Sequence, residues 1–229
     1  MEQKNFFRIK IGHREELATQ NLIKGSSIFG EKIISKNNVE YVEWDPYKSK
    51  LAASIRNGLQ IFPIVKKTNI LYITSKIEST ILHISDIIGE NGRIFLYSYN
   101  NEDLEKIISD RNNIRILNDV DEVQSKKVDV IYVDVNNDNE VEKAINHSKR
   151  CLKKTGFLMI ILKKDEYTNS SDNAVGWLAE QRSGLDKIRS KIKQLKMDFD
   201  MLQEVNLGIN YLGIGPFHKN YIFAICRYR

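Results

Sequence analysis

From residue 69 onward, short apolar runs alternate with segments whose apolar residues recur every three or four positions. The apolar runs have the length of strands and cover residues 70–73, 93–97, 114–117, 128–133 and 157–162. The segments with helical periodicity lie at 80–88, 102–109 and 140–151. Strands that alternate with helices along a chain form a mostly parallel sheet with helices on its faces. The sequence therefore predicts an α/β fold.

The first part of the chain has a different pattern. Residues 1–45 contain short stretches of strand character that are separated by turn residues, so we expect a small antiparallel β-domain with its boundary at residue 45. Its strands are predicted at 6–11, 16–23, 27–34 and 39–44. Pro46 then introduces a helix. The apolar face of this helix consists of Leu51, Ala52, Ile55 and Leu59.

Toward its end the chain is predicted to form a long helix over residues 173–199. Its apolar stripe follows 3-4 spacing and consists of Leu185, Ile188, Ile192, Leu195 and Phe199. Lysine and arginine residues occupy the other faces, so the helix is either an ordinary solvated element or a surface that binds RNA or protein. Two strands, 201–205 and 221–228, are expected to close the sheet.

Composition excludes some functional classes and leaves others open. The most apolar run, 157–162, is too short to span a bilayer, and the first residues lack the apolar stretch of a signal peptide, so we expect a cytoplasmic protein. The two cysteines, Cys151 and Cys226, are far apart and no Cys/His cluster exists, which indicates neither a disulfide nor a metal site.

The net charge of +5 is compatible with a polyanionic partner without demonstrating one. Basic residues occur in five pairs: Lys66-Lys67, Lys126-Lys127, Lys149-Arg150, Lys153-Lys154 and Lys163-Lys164. Pairs of this kind usually serve solubility. If they converge in space, they would bind phosphates without sequence preference.

Residues 41–59, YVEWDPYKSKLAASIRNGL, resemble the entry motif of fibrillarins, a Trp-Asn-Pro followed by a basic helix, with Asp45 in place of the asparagine. Four later segments are similar to successive parts of the same family, in the same order. They are LHISDIIGENGRIF (82–95), VDVIYVDV (128–135), CLKKTGFLMIILKK (151–164) and GPFHKNYIFAICRY (215–228). The resemblance covers essentially the whole chain.

This resemblance implies a Rossmann-like, seven-stranded methyltransferase fold that depends on S-adenosylmethionine, here over residues 46–229, preceded by the small N-terminal antiparallel β-domain. It also implies a role in box C/D guide-RNA particles, in which fibrillarins methylate ribose 2′-hydroxyls of rRNA or tRNA. The expected partners are a guide RNA, the target RNA, a Nop-family scaffold protein and, in an inactive paralogue, another fibrillarin.

The family's catalytic set of two lysines, an aspartate and a histidine is largely retained. By motif position the lysines correspond to Lys50 and Lys163 and the aspartate to Asp134, while Tyr221 replaces the histidine. His218, three residues earlier, would take its place if the loop is misaligned. Taken singly, a lysine on a helix, a lysine at a strand end and an aspartate at a strand tip are ordinary surface features. Their joint occurrence at family positions favours a catalytic role.

The cofactor side of the site matches the family less well. The family's loop after the first strand contains two glycines; here the loop is degenerate, with Thr74 and Glu78 at the glycine positions and Lys76 and Ile77 between them. A β-branched residue is unfavourable where φ is positive, so we expect the loop to fit a sulfonium nucleoside poorly. Ser98 replaces the acidic residue that binds the cofactor's ribose. The other cofactor positions implied by the family are Ser79, Thr80, Tyr99, Asp119, Val120 and Asp134.

The sequence thus supports three functions. We expect a fibrillarin-like subunit of a guide-RNA particle in which cofactor binding and catalysis are weakened or lost. The alternatives are an active 2′-O-methyltransferase that uses S-adenosylmethionine, and a general RNA-binding protein outside the box C/D system.

Overall fold

The computed structural model describes residues 6–11, 13–100, 104, 111–123, 127–136, 138–163, 199–208 and 217–229. Near the N-terminus, four strands form an antiparallel sheet in the order β1-β2-β4-β3. They are β1 (Phe6–Ile11), β2 (Arg14–Gln20), β3 (Ile33–Lys36) and β4 (Val39–Glu43). The helix that follows, α1 (Lys50–Arg56), leads to the main sheet.

The main sheet has seven strands in the order β10-β11-β9-β8-β5-β6-β7. They are β5 (Asn69–Thr74), β6 (Arg93–Ser98), β7 (Ile114–Ile116), β8 (Val128–Asp134), β9 (Leu152–Lys163), β10 (Phe199–Asn206) and β11 (Tyr221–Tyr228). Strands β5 to β9 pair in parallel, and β11 lies antiparallel between β9 and β10. This arrangement confirms the predicted fold class.

Helices cover both faces of the main sheet, which is why its central strands are apolar throughout. Alternate residues point to opposite faces. Tyr72 and Tyr132 belong to the core beneath α1 and α2 (Thr80–Ile88), whereas Ile73 and Val133 belong to the core beneath α3 (Asp138–Cys151). Because parallel strands end at a common edge, the carboxyl ends of β5, β8 and β9 lie side by side.

A buried polar network joins β2 of the small sheet to α2. The Thr19 hydroxyl oxygen lies 2.8 Å from both His83 Nδ1 and Asp86 Oδ2, and Arg111 donates to Asp86 at 2.7 Å. The ionised Asp86 only accepts hydrogen bonds, so Thr19 donates to Asp86 and His83 Nδ1–H donates to Thr19. His83 Nε2 is then an unprotonated nitrogen that is buried without a partner among the described residues.

Several sequence-based boundaries were wrong. The strand predicted at 27–34 is mostly loop, and only its last residues enter β3. Helix α1 begins at Lys50 and not directly after Pro46, because Ser49 is its N-cap and accepts from the amide of Ala52. Phe199 begins β10 and does not end a helix. The rest of the predicted 173–199 helix lies outside the described residues, as does the 102–109 helix apart from Leu104.

Two further observations apply to the described part of the chain. None of its helices is long and apolar enough to cross a membrane, and none of its His, Cys, Asp and Glu side chains form a group that could hold a metal ion. The division of the chain into domains at residue 45 stays a prediction.

Acidification should destabilise the fold through His83. Burial, and then the Arg111 guanidinium, lower its pKa from 6.5 to about 3. A histidine whose pKa is lower in the folded state than in the unfolded state takes up a proton on unfolding, so stability falls as the pH drops below 6.5. Between pH 7 and pH 5 this should lower the free energy of unfolding by about 2 kcal/mol, measured by urea denaturation.

The control is His83→Gln, which removes the titrating group. Its free energy of unfolding should depend less on pH over the same range, by about 2 kcal/mol. Identical pH dependence in the two proteins would show that His83 titrates normally.

Candidate functional site

The carboxyl ends of β5, β8 and β9 bring together residues from distant parts of the sequence. Thr74 pairs with Asp134 across β5 and β8, and Lys163 ends β9. Lys163 also pairs with Tyr221 at the start of β11. Helix α1 packs over this edge of the sheet and presents Lys50 to it. The topology therefore gathers Lys50, Asp134, Lys163 and Tyr221 at one edge, which we call the reacting edge.

A buried ion pair lies at the centre of the reacting edge. Lys50 Nζ donates to both carboxylate oxygens of Asp134, at 2.9 and 3.0 Å, and the two side chains are only 10% and 7% exposed. Burial by itself would lower the pKa of Lys50, but the carboxylates of Asp134 and Glu78 outweigh it and raise that pKa. Lys50 is therefore a cation at neutral pH and does not serve as a base.

Tyr221 and His218 lie next to this pair. Lys50 Nζ is 5.0 Å from the centroid of the Tyr221 ring, a distance at which a cation is attracted to the aromatic face. His218 Nε2 lies 3.1 Å from the carbonyl oxygen of Pro46, to which it donates. Burial, followed by the charge of Lys50, lowers the pKa of His218, so this ring is neutral at physiological pH. Whether His218 replaces the missing histidine stays a prediction.

The loop after β5 closes on itself. Thr74 Oγ1 donates to the carbonyl of Lys76 at 2.6 Å, and the carbonyl of Thr74 accepts from the amide of Tyr99 at 3.0 Å. None of residues 74–80 has a positive φ. The strain expected for Thr74 at a glycine position is therefore absent, because the loop adopts backbone angles that any residue tolerates.

Although the backbone of this loop is unstrained, its side chains are still larger than those of glycine residues. Ile77 is only 7% exposed and belongs to the core beneath α1 and α2. Burial raises the pKa of the Glu78 carboxyl, the Lys50 ammonium lowers it and the Asp134 carboxylate raises it, with a net increase. Sequence reasoning treated Glu78 mainly as a lost glycine, and the fold brings its carboxylate close to the ion pair.

The start of α2 is joined to α1 by hydroxyl groups. Ser49 Oγ accepts from Trp44 Nε1 at 2.9 Å and from the amide of Ala52 at 3.2 Å, so its own proton goes to Thr80 Oγ1 at 2.7 Å. Thr80 is fully buried, and Ser79 before it is 4% exposed. Thr80 is thus engaged structurally, and its predicted contact with a cofactor is untested.

The remaining predicted cofactor residues lie at the ends of β6 and β7. The Ser98 hydroxyl donates to the carbonyl of Asn100, while Tyr99 is 38% exposed. Asp119 is exposed and caps a 3₁₀ turn by accepting from the amide of Asp121 at 2.7 Å, and Val120 is buried within that turn. Their roles stay predictions, but Tyr99 and Asp119 are accessible to a ligand at this edge.

Two tyrosines beneath the reacting edge were missed at the level of sequence. Tyr72 and Tyr132 are fully buried and stack with ring centroids 4.8 Å apart. They lie two residues before Thr74 and Asp134 on paired strands, so strand periodicity was the signal that could have revealed them. Their two stacked rings lie beneath Asp134 in the core.

Comparison with known proteins gives a consistent result. The sequence profile of one family, Fibrillarin, matches residues 1–229. The fibrillarin-like rRNA/tRNA 2′-O-methyltransferase of Pyrococcus abyssi is 32% identical over 222 residues, which are 93% of this chain and 90% of that protein.

Solved structures show the same likeness. A fibrillarin from a fibrillarin/Nop5p complex superposes with a TM-score of 0.76 at 25% identity, and the match covers 100% of both chains. Aeropyrum pernix fibrillarin with natively bound S-adenosyl-L-methionine superposes with a TM-score of 0.76 at 24% identity, over 98% of this chain and 95% of that one. This last likeness is one of fold.

Breaking the Lys50–Asp134 pair should destabilise the protein strongly. Asp134→Asn leaves the Lys50 ammonium buried without its counter-charge, and we expect a loss of about 3–5 kcal/mol in the free energy of unfolding. The double variant Lys50→Met/Asp134→Asn should recover part of this loss, because the unpaired charge is gone. Urea denaturation of all four proteins in this double-mutant cycle measures the coupling.

The control is the exposed pair Arg115–Glu122, whose side chains are 56% and 30% exposed. Arg115→Gln should cost less than about 1 kcal/mol. Equal losses at the two pairs would mean that Lys50 and Asp134 are solvated.

Proposed function

Because the chain belongs to the fibrillarin family, we propose that it methylates ribose 2′-hydroxyl groups of rRNA or tRNA with S-adenosylmethionine as methyl donor. The observation that supports this most directly is the buried, doubly hydrogen-bonded pair of Lys50 and Asp134 at the reacting edge. Such a pair supplies a cation and a carboxylate in fixed positions, which is what a weak oxygen nucleophile needs.

The chain's own residues have distinct parts in this reaction. S-adenosylmethionine, when bound, supplies an electrophilic methyl group. Lys50, which stays protonated, stabilises the negative charge that develops on the 2′-oxygen. Asp134 holds that ammonium in place and is the carboxylate that would accept the hydroxyl proton. Lys163, at the end of the neighbouring strand, adds a second cation on the side open to RNA.

The cofactor side supports binding, but with lower affinity than an intact family loop would give. Tyr99 offers an accessible aromatic ring at the end of β6. Against this, Ile77 fills space, and Ser98 replaces a carboxylate that would accept from a ribose diol. Each hydrogen bond lost to a charged acceptor costs about 1.5–3 kcal/mol, or roughly 10- to 100-fold in affinity.

We also propose that the chain works in a guide-RNA particle with a Nop-family scaffold. The support is the likeness, over the full length of both chains, to a fibrillarin from a complex with Nop5p. Target selection would then depend on base pairing with the guide RNA.

A second candidate is a subunit that assembles into such a particle without catalysing transfer. The packed loop at residues 74–78 and the loss of an acidic residue at Ser98 favour it. Methyl transfer by the assembled particle, with a guide RNA, a Nop-family scaffold and radiolabelled donor, separates the two functions. Transfer to the guided 2′-hydroxyl supports the first, and its absence at saturating cofactor supports the second.

Restoring the cofactor side should strengthen binding of S-adenosylmethionine. We expect Thr74→Gly/Glu78→Gly/Ser98→Glu to lower the dissociation constant by about 10- to 100-fold in calorimetric titration, because a charged acceptor returns and the loop loses side-chain bulk. Ser35→Glu, on an exposed position of β3, makes the same substitution as Ser98→Glu away from the site and should leave the constant unchanged. No gain in the triple variant would mean that the present loop already binds the cofactor well.

Removing Lys163 should impair transfer without impairing folding. The residue is exposed, so Lys163→Met should change the free energy of unfolding by less than about 1 kcal/mol, the contribution of an exposed ion pair. The rate of transfer should fall by roughly 100-fold or more, since a positioned charge at the reacting oxygen is lost. Lys143→Met, on the exposed face of α3, is the matched control for the same assay. Equal rates in the two variants would exclude Lys163 from the reaction.

A further inference from the structure

A second concentration of charge lies at the opposite edge of the main sheet, where β5, β8 and β9 begin. A pocket of about 410 Å³ opens there between the turn at residues 65–68 and the start of β9. We call this the amino-edge pocket and define it by residues 65–68, 129 and 153–157. It contains two of the five basic pairs noted in the sequence, Lys66-Lys67 and Lys153-Lys154. These pairs are far apart in the chain, and the fold brings them to one cavity away from the reacting edge.

An irregularity in the β8–β9 ladder projects one of these pairs over the pocket. Val128 pairs with Leu152 and Val130 with Phe157, so β9 has four residues, 153–156, where β8 has only Asp129. Gly156 is required there, because a Cβ atom would lie 2.8 Å from the Leu152 side chain and 2.9 Å from the Asp129 carbonyl oxygen. Bulges that re-aim side chains are built features of a sheet.

The pocket has a net positive charge. Its acidic residue, Asp129, accepts from Lys153 Nζ at 2.6 Å with one carboxylate oxygen and from the Asn69 amide at 2.8 Å with the other. Asp129 is thereby engaged with Lys153. In the described part of the chain, no carboxylate pairs with Lys66, Lys67 or Lys154. Three ammonium groups without a paired carboxylate among the described residues therefore line one cavity.

Backbone strain is concentrated at the same place. Lys67 and Thr155, which both line the pocket, have φ values of 69° and 63°. The other non-glycine residues with positive φ in the described chain are Asn37 and Asn38, in the β3–β4 turn, where asparagine is well tolerated. A β-branched threonine in this region is a marked outlier. Strained residues of this kind persist where the surroundings impose them, often at ligand sites.

We propose that the amino-edge pocket binds the phosphodiester backbone of an RNA strand. Lysine ammonium groups bind phosphate as point charges without reading bases, and the pocket supplies three of them around a cavity of suitable size. Asp129 and Asp134 lie at opposite ends of one strand, five residues apart and hence about 17 Å. An RNA held here contacts the protein well beyond the nucleotide that is methylated. This site does not depend on methyl transfer.

The test is binding of a fluorescent single-stranded oligoribonucleotide, without cofactor, over a range of salt concentrations. Lys66→Gln/Lys154→Gln removes one cation from each side of the pocket, and the log–log salt slope should fall by about 1.4, at about 0.7 for each contact. At 0.1 M salt this corresponds to roughly 10- to 25-fold weaker binding. Both lysines are exposed, so the variant should fold normally.

The matched control is Lys10→Gln/Lys36→Gln, which makes the same charge change on exposed positions of the small sheet. The same loss of affinity in both double variants would overturn the proposal, because it would show an effect of net charge alone.

A second measurement identifies the ligand. The backbone amide resonances of Lys67, Thr155 and Gly156 should shift with micromolar oligoribonucleotide, and with inorganic phosphate only at millimolar concentration. Shifts with inorganic phosphate but none with RNA would reassign the pocket to a free anion and overturn the RNA claim. Loss of methyl transfer in another experiment would leave either result unaffected.

Discussion

The arrangement of the reacting edge depends on the ion pair between Lys50 and Asp134. Helix α1 has only seven residues and would not be stable in isolation. Its buried face and its Ser49 cap hold it against the sheet, and the ion pair sets where its first turn meets the end of β8. Burying two charges costs several kcal/mol for each ion, so the geometry must supply compensating bonds. The two hydrogen bonds between them and the ring of Tyr221 supply this compensation.

Two polar networks connect the small sheet to α1 and α2 and so stabilise the position of α1 at the reacting edge. One runs from Trp44 through the Ser49 hydroxyl to Thr80, and so links the chain leaving the small sheet to both α1 and α2. The other joins Thr19 to α2 through His83 and Asp86. The Trp44 ring stacks on the His83 ring at 4.9 Å, which brings the two networks into contact. The small sheet therefore helps to position α2 and α1, the helix that carries Lys50.

The lysines at the two edges of the main sheet differ in burial and in whether a carboxylate pairs with them. At the carboxyl edge, Lys50 is paired and buried, which suits a fixed role toward a reacting oxygen. At the amino edge, Lys66, Lys67 and Lys154 line a cavity, and no carboxylate of the described residues pairs with them. Their charges can therefore attract an anionic partner. The cofactor region differs from both, because its loop is packed through Ile77 and Thr74 while Tyr99 and Asp119 stay accessible. The proposed reaction, the proposed RNA contact and the proposed cofactor binding thus depend on separate parts of the structure.

The sequence alone was enough to predict the class of fold and the residues of the reacting edge. Apolar runs such as 128–133 are local signals, because a strand buried on both faces needs apolar residues throughout. The entry motif and Asp134 at a strand tip are also local features of the sequence, so they could be aligned with a family without knowledge of the fold. Boundaries in the small sheet were less accurate, since segment 27–34 has strand character but lacks the pairing that would make it one.

Tertiary structure decided what depends on distance in space. The strain expected at Thr74 is absent, because the loop had an alternative path that a sequence does not reveal. Glu78 and the ring of Tyr221 became neighbours of Lys50 through packing between distant segments. The convergence of Lys66-Lys67 with Lys153-Lys154 was likewise undetermined until strand order was known. Composition and periodicity act along the chain, whereas electrostatic and steric contacts act across it, and only the folded chain defines the latter.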